Sequence, residues 1–339
     1  VTKTVSNKTI LVRPFFLLAF LFSFLFAAAQ PSSEENKLTS NLTFGSSLPG
    51  GVLSGRSLVL YESSYTNQEL LEAQKYFQQA GIDAVSYIDI DYVLAGPDPS
   101  RVFATYFNTR VIKFFIILQK NGKEYKCIFT EFTGNKNFVS KEKTSWKQSN
   151  TSFVELLRTV YRFAISTQKK ENFLINDVPE TGFTLNFFRE QTEKFSGDIR
   201  NYKSAIPRWG NEADEKELEA IVKENFPVKF EFVDPDLTDA ELEGKGYRLV
   251  LRFVHTRGDI AREILGYDRA QKSSSLPTTY FVNGEAKIKT IPAKQMVYKF
   301  YFKNPEYGNI FLGSKWDADE TWQDALKNHI FSLRNELRF

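Results

Sequence analysis

Residues 297–334 read VYKFYFKN, PEYGN, IFLGSKWDADETW and QDALKNHIFSLR in succession. The pattern predicts an aromatic strand, a turn, a second short strand, a Trp-marked loop and a closing amphipathic helix. Ala325, Leu326, Ile330 and Leu333 recur at three- and four-residue spacing and form the buried face of that helix. Residues 124–165 have the same plan, as EYKCIFTEF, TGNKN, FVSKEKTSWKQSN and TSFVELLRTVYRFAI, with Leu156, Leu157, Val160 and Phe163 on the helix face. Trp146 and Trp316 precede the two helices, and Phe153 and Trp322 open them.

Worked outward from these stretches, the chain divides into two tandem α/β (α+β) modules, each ordered β-α-β-α-β-β-α around a mixed sheet. Module 1 covers residues 56–166. It begins with the strand SLVLYE, then a helix over 67–80 capped by Thr66 or Asn67 and ended by Gly81. AVSYIDIDYVL (84–94) alternates like a half-exposed strand, GPDPS reads as a turn and RVFATYFN as a short helix. VIKFFIILQ (111–119) is nearly all apolar, as suits a central strand covered on both faces, and Asn121-Gly122 is a hairpin turn.

Residues 167–202 form a connecting segment, with FTLNFF as a strand and REQTEKF as a helix. Module 2 covers 203–339. Pro207 assigns its first strand, SAIPRW, to a sheet edge. An insertion at about 256–294 carries a helix and the hairpin TTYFVNGEAKIKTI, turning at Asn283-Gly284. An isolated hairpin is marginally stable, so this one is expected to pack on module 1 or on a partner through Tyr280, Phe281, Ile288 and Ile291. The repeated element order, an Asp-x-Asp after each second strand and the Trp before each last helix point to a duplication. In element order alone, the modules are similar to exported α/β domains of the anticodon-binding-like type. That resemblance implies a protein-binding role and carries over no individual residue.

Lys3, Lys8 and Arg13 precede PFFLLAFLFSFLFAAA (14–29). A basic head, a short apolar run and a small-residue end predict a signal peptide over 1–29 cut after Ala29. Residues 30–55, polar and rich in Gly, Ser and Pro, then read as a flexible leader. Export places the mature chain in the periplasm or on the surface of a Gram-negative bacterium, with no transmembrane segment. Without residues 1–29, 41 basic and 41 acidic residues balance; a nucleic-acid partner, which calls for a cationic surplus, is not expected. The single Cys127 and the distant His255 and His329 offer no zinc pattern and no cofactor motif.

Two constellations are candidates for chemistry. Asp89 with Asp91, and Asp234 with Asp236, fall at i and i+2 on strands, so each pair shares one face. Such pairs can hold a divalent cation, or raise one another's pKa for base catalysis; equally, they can serve as turn and cap residues. Trp316 and Trp322 flank Asp317, Asp319 and Glu320, a combination that can bind sugar or peptide or simply close the core. The leading expectation is a non-catalytic envelope protein acting through protein or glycan contacts. The alternatives are a metal-assisted hydrolase using the Asp pairs and a small-ligand binder in the cleft between modules.

Overall fold

A computed structural model describes residues 38–339 except 41, 174, 177, 181, 184, 268–272 and 283. The predicted signal peptide and the turn residue Asn283 lie outside the described residues. The described residues belong to one compact unit. Its fold is mixed α/β, built on two six-stranded mixed sheets.

The first sheet contains β1 (Thr43–Phe44), β2 (Arg56–Tyr61), β3 (Asp83–Asp89), β4 (Ile112–Asn121), β5 (Glu124–Glu131) and β6 (Thr144–Asn150). Their spatial order is β1-β6-β5-β4-β2-β3. β1 with β6, and β4, β2 and β3 among themselves, run parallel, whereas β4-β5-β6 is an antiparallel meander. The second sheet contains β7 (Gln191–Thr192), β8 (Ser204–Pro207), β9 (Phe230–Val233), β10 (Leu249–Arg257), β13 (Met296–Lys303) and β14 (Ile310–Phe311). Its order is β7-β14-β13-β10-β8-β9, and the sense of every neighbouring pair matches the first sheet position for position.

The helices follow the same scheme. α1 (Asn67–Ala80) and α4 (Phe153–Thr167) cover one face of the first sheet. Thr66 starts α1 with a capping box to Glu69, and Gly81 ends it at a positive φ of 88°. The other face meets α2 (Ile90–Val93) and α3 (Pro97–Thr109), with Phe103 and Phe107 packed on Phe115 and Ile117. In the second sheet α5 (Glu212–Asn225) and α8 (Trp322–Leu337) cover one face, and α6 (Asp239–Gly244) with α7 (Gly258–Ile264) the other. The expected helix faces are in place: Leu156, Leu157, Val160, Ala325, Leu326, Ile330 and Leu333 are buried, and Phe163 is half-buried against the same core.

Several local expectations change. β3 stops at Asp89 because that side chain accepts the Asp91 amide and caps α2, so residues 90–93 turn helical instead of continuing the strand. α3 begins already at Pro97, within the expected turn: proline at a first helical position lacks only an N–H that would be unsatisfied there. β8 is interior, paired with β9 and β10; Pro207 is tolerated because β10 pairs only with Ser204 and Ala205. Among the described residues, 183 and 185–188 form no strand and 189–195 no helix; Phe183, Phe187 and Phe188 instead pack on the cores beside α3 and α7. Within the segment read as a flexible leader, Leu48, Val52 and Leu53 are buried and β1 extends the first sheet.

The inserted hairpin, β11 (Ser275–Val282) and β12 (Glu285–Pro292), forms its own two-stranded sheet. Its main support comes from module 2. Phe281 stacks on Phe331 of α8, its amide donates to Asn328, and the Thr279 amide donates to the Trp316 carbonyl. Leu276 and Ile291 are buried, whereas Ile288 is 74% exposed.

Candidate functional site: a cleft between the two halves

The parallel part of the second sheet sets up the site. From the central strand β8 the chain crosses to β9 over one face through α5, then back past β8 to β10 over the other face through α6. β8 and β10 therefore part at their carboxyl ends, the place where open α/β sheets form ligand crevices. Trp209, two residues beyond β8, lies at that gap. It stacks on Phe253 of β10 with ring centroids 4.9 Å apart and planes 9° apart. In the first sheet the equivalent gap is closed. The Glu62 amide donates to Leu118 O, the Glu62 carboxylate accepts the Lys120 amide, and the Tyr65 hydroxyl donates to Gln119 O.

Module 1 supplies the opposite wall. β8 leaves β10 unpaired beyond Val250, and the α2–α3 turn takes up that edge, with the His255 amide donating to Ala95 O at 2.7 Å. Thr256 Oγ1 donates to Asp91 O at 2.8 Å. Between the walls lies a cleft of about 660 Å³. Its aromatic side is formed by Trp209, Phe253 and Tyr298, with the His255 ring flat on Tyr298 at 3.8 Å. Its polar side carries Arg101, Lys136, Asn137, Lys141 and Asp236. A smaller hollow of about 210 Å³ shares Pro97, Trp209, Pro235 and Phe253 with it.

Charges behind the cleft hold the halves in register. Asp98 at the start of α3 is buried and accepts from the Tyr301 hydroxyl (2.8 Å), Lys303 (3.0 Å) and Arg101 (3.2 Å). Burial alone would raise its carboxyl, but Lys303, Arg252 and the Tyr301 hydroxyl outweigh it and hold it below the usual carboxylate range. Lys303 also reaches Asp239 at 2.7 Å, and Asp239 pairs with the buried Arg252.

The acidic pairs are built into this interface. Asp89 and Asp91 do not share a strand face; both engage Arg257, at 2.5 and 3.0 Å. Burial pushes the Asp89 carboxyl up, opposed by Arg257. Asp234 accepts the Asp236 amide in a local turn, and Asp236, largely exposed, binds Lys136 of module 1 at 2.6 Å, which holds it below the usual range. Among the described residues no three His, Cys, Asp or Glu side chains converge where an ion could be held.

The Trp-marked loops lie elsewhere. Trp146 is buried inside β6, and Trp322 is buried at the start of α8, stacked on Trp209. Trp316 is half-buried, edge-on to Tyr267. Tyr280, on the hairpin, lies 5.6 Å from the Lys289 ammonium and away from the cleft lining. Of the candidate residues singled out from the sequence, Asp236 lines the cleft; Trp209 and Arg101, which also line it, are not among those candidates. The legible signal for Trp209 was an aromatic residue followed by Gly210 just after a strand.

No described helix is long and apolar enough to cross a membrane. The chain gives no significant match to any protein-family model, curated protein or solved structure.

Proposed function

We propose that this is an exported, non-catalytic binding protein made of a duplicated α/β unit, which holds its ligand in the cleft between the two halves. The observation that carries the reading is the open crevice at the β8–β10 gap, a cleft of about 660 Å³ lined by the Trp209–Phe253 stack together with Lys136 and Arg101. That volume lies in the usual range for small-ligand sites, and an aromatic wall opposed by a few polar groups is their usual composition. The carboxylate pairs favour binding over hydrolysis, since Asp89, Asp91 and Asp236 are engaged by Arg257 and Lys136. Matching strand order and sense in the two sheets supports the duplication. The basic head and apolar run of residues 1–29 support export.

Thermal-shift screening of the purified chain against a panel of saccharides, peptides and metabolites tests the binding reading, because a ligand of the native state raises the melting temperature. Stabilising compounds should lose their effect in Asn137→Trp, which fills the cleft mouth from an exposed loop position. Stabilisation unchanged in that variant would place the site elsewhere.

A further inference from the structure

Resting on the cleft reading, we propose that the ligand is a short peptide, held by main-chain groups that the second sheet leaves open where β8 and β10 part. The ladder between these strands stops after Ser204 with Leu249 and Ala205 with Val250. The His255 amide donates to Ala95 O, on the side of β10 away from β13. Main-chain groups alternate in direction along a strand, so those of Leu251 and Phe253 face the same gap. The next rung would be a Pro207 N–H donating to Leu251 O, and proline has no N–H. Among the described residues no other donor reaches Leu251 O. Arg208 gives its amide to Val233 on the β9 side, so the Trp209 amide turns back toward β10, and among the described residues it has no backbone partner. Pro207, Trp209, Leu251 and Phe253 all line the hollow of about 210 Å³ beside the cleft.

An acceptor and a donor on one small hollow are the pair that a peptide amide satisfies with its own N–H and C=O. A buried carbonyl without a donor is costly, and a bound amide removes that cost. In the first sheet the same place is filled by main chain: β2 runs beside β4 as far as Tyr61 and Leu118, and the Glu62 amide then donates to Leu118 O. The remaining walls of the hollow include Pro97, Pro235 and Phe300, which are apolar. A dry cavity of about 150 Å³ takes a benzene-sized guest, so the hollow suits one apolar residue with its amide, the rest of the peptide lying in the adjoining cleft. An anionic ligand fits less well, because Arg208 is engaged by Glu215 and Glu219, and Arg252 by Asp239.

Calorimetry on the purified full chain with neutral capped tripeptides, acetyl-Ala-Xaa-Ala-amide with Val, Leu or Phe in the middle, tests this. At least one should bind, and replacing one of its amide N–H groups by an ester oxygen should weaken it by about ten-fold. Pro207→Ala puts an N–H back opposite Leu251 O and should weaken the same peptide by about ten-fold. Asn137→Trp, at the mouth of the cleft, should abolish binding. Ester analogues that bind as well as the peptide at every position, or binding unchanged in Pro207→Ala, would overturn the main-chain contacts while leaving the cleft reading intact. Peptide binding untouched by Asn137→Trp would contradict the cleft itself. No binding by any of the peptides would overturn the proposal, and the cleft reading would then rest on the thermal-shift screen alone.

Discussion

Gly96 and Phe253 meet backbone to backbone across the two halves: a Cβ on Gly96 would stand 2.7 Å from the Phe253 carbonyl oxygen. Gly96 also has φ 146° and ψ 179°, a conformation essentially reserved for glycine. Gly96→Ala should therefore destabilise by at least about 1–3 kcal/mol from backbone strain alone, read by urea denaturation. A loss below about 0.5 kcal/mol, the behaviour of a surface site, would mean that the α2–α3 turn is not seated against β10.

Asp98 tests the polar half of the same interface. It is buried and answers Tyr301, Lys303 and Arg101. Removing one partner of a buried charge pair costs about 3–5 kcal/mol, because the remaining charge is uncompensated. Asp98→Asn should approach that figure, while Asp236→Asn, on an exposed pair with Lys136, should change stability by no more than about 1 kcal/mol. Equal effects of the two substitutions would show that the Asp98 cluster does not anchor the halves.

A second buried cluster predicts pH dependence. The Lys299 ammonium donates to Asp317 (2.6 Å) and Leu312 O (2.8 Å), and the His329 ring lies 3.2 Å from Asp317. Burial lowers His329, and the neighbouring Lys299 lowers it further; burial would raise Asp317, but Lys299 and His329 hold it low. A histidine with a depressed folded pKa contributes full stability above its unfolded value of about 6.5 and loses it as pH falls toward the folded value. Stability should decline between about pH 7 and 5, and His329→Gln should flatten that slope by up to one proton, or about 1.4 kcal/mol per pH unit. An unchanged slope in the variant would show that His329 is protonated in the fold.

Packing predictions are simpler. Leu157 and Leu326 are fully buried on α4 and α8. Each Leu→Ala change should cost about 2–5 kcal/mol in denaturant unfolding. Values near zero would mean that these helices do not close their sheets.

The proposed export predicts a processed chain. N-terminal sequencing of protein from the host's envelope fraction should begin at Gln30. Retention of residues 1–29 would overturn the signal-peptide reading.

What the sequence made legible, and what it hid, follows from the range of the interactions involved. VIKFFIILQ and the Asn121-Gly122 turn are local signals, and they became β4 and its hairpin to β5. The helix faces on α4 and α8 rest on a period of a few residues and are equally legible. Asp89 and Asp91 share a face only if strand alternation continues past Asp89, which instead caps a helix, and their partner Arg257 lies 168 and 166 positions further along. The cleft was expected between the modules, but its lining was not. Trp209 becomes a wall residue only because β8 and β10 diverge at a switch in strand order and residues 94–97 fill in from the other half. The hairpin was expected to need a partner, and it found one in α8 of its own module, through Phe331 and Asn328.

The four tryptophans give the most direct test of the cleft. In a deuterated, ¹⁵N-labelled sample each indole N–H gives its own NMR signal, with that of Trp209 assigned by Trp209→Phe. Titration with any compound that stabilises the protein should move the Trp209 indole signal and leave that of Trp146, buried in the first sheet, in place. A stabilising ligand that shifts other signals while the Trp209 indole stays fixed would contradict a binding site between the two halves.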